Sequence, residues 1–247
     1  MRNIWIIARK EFSQYFISPI AYSVAFLLLG IMGILFTFTL LSLSNNPTTT
    51  SVPDSRNTAY GVGFLLMLFT PALTMRLVAD EVRMGTMELL LTAPLRDYEM
   101  IVGKWLGALM FLLLLVAITL VFPLILDKMT VGGIDHLLLI SNYLGVILVA
   151  SAFLGLGVGI SAMFSNQIAA FFATLALFIV LWWLIGAPAN LLPNGGGEIF
   201  TYLSLSSQFS DHFVQGSISL SSIIYFLSVT AIGLFIGSTA VETRRWS

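Results

Sequence analysis

Six apolar runs, each long enough to cross a hydrocarbon layer, dominate this chain: 19–43, 59–79, 101–126, 137–163, 168–187 and 218–240. A bilayer core about 30 Å thick is crossed by about 20 helical residues. Inside it every backbone N–H and C=O has to bond within its own segment or around a closed barrel. Runs of this length leave one fold class, an all-α integral membrane protein with six transmembrane helices in a single domain, 1–247. Composition agrees, with 58% hydrophobic and 9% charged residues, where a soluble domain carries about 25% charged residues.

The same features exclude other classes. There is no basic patch interleaved with aromatic residues, so nucleic acid is not a partner. With no cysteine there is no disulfide framework, thiolate metal site or thiol nucleophile. His136 and His212 sit beside Asp135 and Asp211 between spans, but neither belongs to a spaced ligand set, so no metal site is expected. Arg76 and Lys104 lie within a turn or two of span ends, where long side chains snorkel to the membrane edge. Arg83 is placed with them as an edge cation. Ion-coupled carriers and intramembrane hydrolases need carboxylates or a Ser/His pairing at depth, and no catalytic residue is assigned.

Side is set by Lys and Arg near the span ends. Arg2, Arg9, Lys10, Arg76, Arg83, Arg96, Lys104, Arg244 and Arg245 fall on one face, and Arg56 and Lys128 on the other. The positive-inside rule then makes both termini and the loop 80–98 cytoplasmic in a multi-pass membrane protein. Residues 1–18 are expected to form an interfacial amphipathic helix, with Ile4, Ala8, Phe12 and Tyr15 on one face. A secretory signal starts similarly. Here Arg9 and Lys10 stop the short apolar run and no small-residue cleavage site follows the next one.

Within the spans, Gly155 and Gly159 form a small-xxx-small pair suited to close helix approach, within the chain in preference to a subunit seam. Gly157 between them does not make a dinucleotide loop, since the third spacing and the acidic partner are missing. Pro71 is a candidate kink. Outside, 188–217 mixes apolar and polar residues after a Pro-Asn-Gly turn. It is either the lining of a translocation path, re-entrant into the membrane, or a cap lying in the interface.

Nine of the chain's 11 basic and 12 acidic side chains lie between Leu73 and Trp105. Gly85 breaks the helix leaving the membrane, Thr86 caps a new one with Glu88 in its first turn, and Pro94 ends it. The resulting short helix, 87–92, shows Met87, Leu90 and Leu91 on one side. Asp97 is placed to cap the third span. The apolar knob suits a partner's groove or a resting place on the lipid surface, and spacing alone does not separate the two.

The string Glu81, Gly85, Thr86, Glu88, Leu90, Leu91 and Pro94, followed by Glu99, Gly103 and Lys104, resembles the signature of ABC-2 type transporter permeases. Thr74, Met75 and Arg76, with Leu203, Ser204, Leu205 and Gly216, resemble the branch containing gliding-motility and copper-maturation permeases. The resemblance implies a type V exporter fold with a cytoplasmic coupling helix, and assigns ATPase coupling to Glu81, Gly85, Thr86, Glu88, Leu90, Leu91 and Pro94. It also implies partners: ABC ATPase subunits holding ATP and Mg, and a second permease chain, identical or different, in a dimer. The chain itself holds no cofactor, because Tyr98 stands where a phosphate loop's first glycine belongs. The implied function is export of a substrate driven by ATP hydrolysis elsewhere. The alternatives are a permease that transmits mechanical work to an extracytoplasmic protein without moving a solute, and an ATP-independent channel or scaffold. Membrane lipid accounts for the apolar faces in each case.

Overall fold

In chain order the helices are α1 (Arg2–Tyr15), α2 (Pro19–Asn45), α3 (Arg56–Thr74), α4 (Ala79–Arg83), α5 (Asp97–Thr119), α6 (Val121–Met129), α7 (His136–Met163), α8 (Gln167–Ile179), α9 (Gly197–Leu203), α10 (Leu205–Gln208) and α11 (Leu220–Arg245). The computed structural model describes residues 2–45, 54–85, 96–130, 133–190 and 197–245, and no strand occurs among them. Six helical stretches are long and apolar enough to cross a membrane, as the apolar runs predict.

Two of these spans are composite. The second runs from Arg56 to Arg83 but is interrupted between α3 and α4, one turn beyond Pro71. The third, Asp97–Met129, changes helix at Leu120, where Pro123 removes the N–H that the Thr119 carbonyl needs. Helix α8 ends in a π-helical turn, Val180–Leu184, and α10 runs into another, Phe209–Val214.

Helix α7 is the axis of the bundle. Its apolar window is 78% buried, against 17% for α2 on the outside. Small residues let neighbours approach it closely. A methyl on Gly155 would lie 2.9 Å from the Thr230 carbonyl oxygen of α11, and one on Gly233 would collide with the Gly155 and Leu156 backbone. The Gly155/Gly159 pair therefore packs inside this chain, against Gly233 and Gly237 of α11. Without a hydrophobic drive between helices in lipid, such backbone contact is what holds them.

The segment 188–217 divides between the two expectations. Helix α9 stays at the surface with Ile199 and Tyr202 exposed. Beyond it, α10 and the π-helical turn insert between α3, α7 and α8, burying Leu205, Phe209 and Phe213. Phe209 rests against Gly63 and Phe213 against Gly145. The polar groups that go in with them are satisfied. Ser141 donates to the Phe213 carbonyl at 3.0 Å, and Ser222 donates to Gln208 at 2.8 Å. Asn142, in the orientation that satisfies both ends of its amide, donates to the Phe213 carbonyl and accepts from Ser55 Oγ.

Candidate functional site

The polar stretch that stood out in the sequence converges on one buried ammonium. Lys104 Nζ lies 2.7 Å from Glu81 Oε1 and 3.0 Å from Glu11 Oε1, with side-chain exposures of 3%, 15% and 7% for Lys104, Glu81 and Glu11. Lys104 does not snorkel to the membrane edge as its position suggested. It points into the protein, because two carboxylates from other helices meet it there. A buried charge without a partner is costly, and removing either side of such a pair leaves the other exposed to that cost.

Helix α1 is held against α5 along its length. Ile4, Ile7 and Ala8 pack on Gly103 and Gly107, where added methyls would lie 2.8 Å from Ile7 Cβ and 2.7 Å from the Ala8 carbonyl oxygen. At one end Asn3 donates to Glu99 Oε2 at 3.2 Å, and that carboxylate also accepts the Arg96 N–H at 3.3 Å. Capping of α5 thus falls to Glu99, while Asp97 takes the first helical position. At the other end Tyr15 stacks on Phe111 at 4.7 Å and donates to the Leu73 carbonyl at 3.4 Å. Burial, with Glu11 nearby, pushes the Tyr15 phenol above its ordinary value. The expected face of α1 is right at Ala8 and Tyr15, but it also carries Glu11, and Trp5 and Ile6 remain exposed.

The break between α3 and α4 has its own fastening. Ser161 of α7 accepts the N–H groups of Val78 at 3.2 Å and Ala79 at 3.1 Å, and donates to the Met75 carbonyl at 3.3 Å. One hydroxyl thereby uses both lone pairs and its proton on a helix end that would otherwise hold orphan groups. Glu81 follows two residues later, then Arg83 paired with Asp80 at 3.1 Å, then Gly85 with φ +70 in the left-handed region that glycine adopts freely. The remaining coupling residues, Thr86, Glu88, Leu90, Leu91 and Pro94, with the helix expected at 87–92, lie outside the described residues.

Sequence reasoning missed Glu11, Ser161 and the Lys104 pairing. The signal for Glu11 was present: it follows Ala8 by three and Ile7 by four on the packed stripe. Of the other outlying polar groups, His136 Nε2 lies 3.9 Å from Asp127 Oδ1. No group of three or more metal-ligating side chains occurs among the described residues.

The arrangement ties an amphipathic helix, the root of a loop and the start of a span into one unit through a single cation. No curated protein matches the chain. A family model described as ABC-2 family transporter protein matches residues 5–194, from α1 through the fifth span.

Proposed function

This chain belongs to the ABC-2 family of transporter proteins, and on that premise we propose that it is the permease subunit of an ATP-binding-cassette exporter, driven through residues 86–95 by a separate ATPase. The family supplies a membrane component and, in general, an ABC ATPase as its partner. The observation that carries the finer reading is the triad of Glu81, Lys104 and Glu11, because Glu81 stands at the root of the proposed coupling loop.

In this reading the α1 end of the bundle is cytoplasmic, and ATP-driven closure of two ATPase subunits presses on two copies of the loop. Force entering at 86–95 reaches Glu81 first. Lys104 passes it to α5, and Glu11 passes it to α1, so the three helices move as one body. The break at 75–78 is the joint about which that body turns, since the N–H groups of Val78 and Ala79 go to a side chain of α7 and not back to carbonyls of α3. Full reversal between two pore states needs about 5.5 kcal/mol of differential binding. Burying apolar side chains such as Leu90 and Leu91 in a groove contributes about 1.5–3 kcal/mol each before ordering costs, from both copies.

The test is co-purification and transport. Leu90→Asp or Glu88→Lys should release the ATPase, while Glu81→Gln should keep it bound and lower the substrate moved per ATP hydrolysed in proteoliposomes. ATPase association unchanged by both loop variants would overturn the coupling assignment.

A further inference from the structure

Beside the triad a cleft of about 610 Å³ opens between the end of α1, the start of α2 and the α3–α4 break. Buried charged side chains, Glu11 and Lys104, line it together with apolar ones. Lys104 is taken up by Glu11 and Glu81, and Asp80 turns to Arg83. Arg76, half-buried in the same cleft, donates to Ser18 Oγ, a neutral acceptor, and enters none of the ion pairs found among the described residues. A guanidinium carries five N–H donors in a planar fork and cannot shed its charge. Lys10 adds a second cation at the rim. The wall beside Arg76 is Ile20, Ala72 and Leu73, and it continues to Ile17, which is 81% exposed.

We infer that this cleft binds an anionic amphiphile, its phosphate or similar headgroup held by the Arg76 fork and its tail lying over Ile17 and Ile20. The position suits it, at the end of the spans where headgroups sit. Basic pockets between transmembrane helices bind lipid headgroups on the same physics. The carboxylates of Glu11, Glu81 and Asp80 line the same cleft, so a small anion with no tail meets repulsion there without the apolar contact that offsets it. The inference depends on the chain spanning a membrane and not on its coupling to an ATPase.

Binding is therefore measured on the purified permease alone, by native mass spectrometry in detergent with phosphatidylglycerol or phosphatidylcholine. The anionic lipid should be retained in preference. Arg76→Gln should weaken it by about tenfold, the size of a lost charge-assisted bidentate contact. Arg56→Gln, at the other end of α3 and outside the cleft, should leave it unchanged, with thermal unfolding confirming that each variant is folded. If Arg76→Gln does not fold, Arg76→Lys keeps the charge without the fork and should still bind measurably more weakly. Equal retention of both lipids, or binding unchanged in the Arg76 variant, would overturn the site. Displacement of phosphatidylglycerol by equimolar glycerol phosphate would overturn the amphiphile and leave a site for soluble anions.

Discussion

Lys104 and Glu11 stand 93 residues apart in the chain and 3.0 Å apart in space, each side chain more than nine-tenths buried. The contact makes the amphipathic helix α1 a working part of the third span, with Glu81 joined to the same ammonium at 2.7 Å. Two carboxylates around one cation also mean that the members of this cluster are unequal when removed.

Lys104→Met strands both buried carboxylates and should cost about 3–5 kcal/mol of stability. Glu11→Gln leaves Lys104 paired with Glu81 and should cost less. Replacing all three, with Glu11→Gln, Glu81→Gln and Lys104→Met together, should restore most of the loss, because no uncompensated charge remains. Thermal unfolding of the three variants and the wild type in detergent measures this, and a triple variant no better than Lys104→Met would contradict it.

Ser161→Ala removes the acceptor of two buried N–H groups, at about 1–3 kcal/mol for each group left unsatisfied. The loss is local to the joint. Hydrogen exchange in the peptide covering Val78 and Ala79 should quicken while that of the α7 centre, around Phe153, stays slow.

Gly159→Ala places a methyl against the Gly233 backbone and should destabilise the α7–α11 crossing by about 1–3 kcal/mol. Gly30→Ala on α2 meets nothing within 4 Å and should be neutral or slightly stabilising. Equal melting temperatures for the two variants would remove close packing as the reason for these glycines.

Tyr15 gives a pH dependence of known sign. Its folded phenol is held neutral above the ordinary value of 10.0, by burial first and Glu11 second. The stability this confers is complete below the unfolded value and falls as pH climbs from there towards the raised folded one. Wild-type protein should therefore lose more stability than Tyr15→Phe between about pH 9 and 11, read from melting curves at each pH.

The six spans and the Gly155/Gly159 packing were legible because hydropathy and small-residue spacing are local properties of the chain. The site was legible in outline only. Charge density flagged the stretch around Glu81 and Lys104, but a pairing across 93 residues leaves no periodicity to read, and Lys104 was assigned to the membrane edge. Asp97 is the expected cap of α5, but the carboxylate that accepts the Arg96 N–H is Glu99, which also accepts from Asn3 of another helix. The split of 188–217 into surface and inserted halves was equally hidden. Its inserted half depends on partners supplied by α7, at Ser141 and Gly145.

Helix α7 grips the inserted turn through Ser141 and Asn142 near its start and the α3–α4 joint through Ser161 near its end. Twenty residues of helix at about 1.5 Å each separate these grips by about 30 Å. Such a strut has no slack. A slide by one residue's rise would break side-chain bonds at both ends in the same event, so any axial shift of α7 is felt at the inserted turn and at the α3–α4 break together.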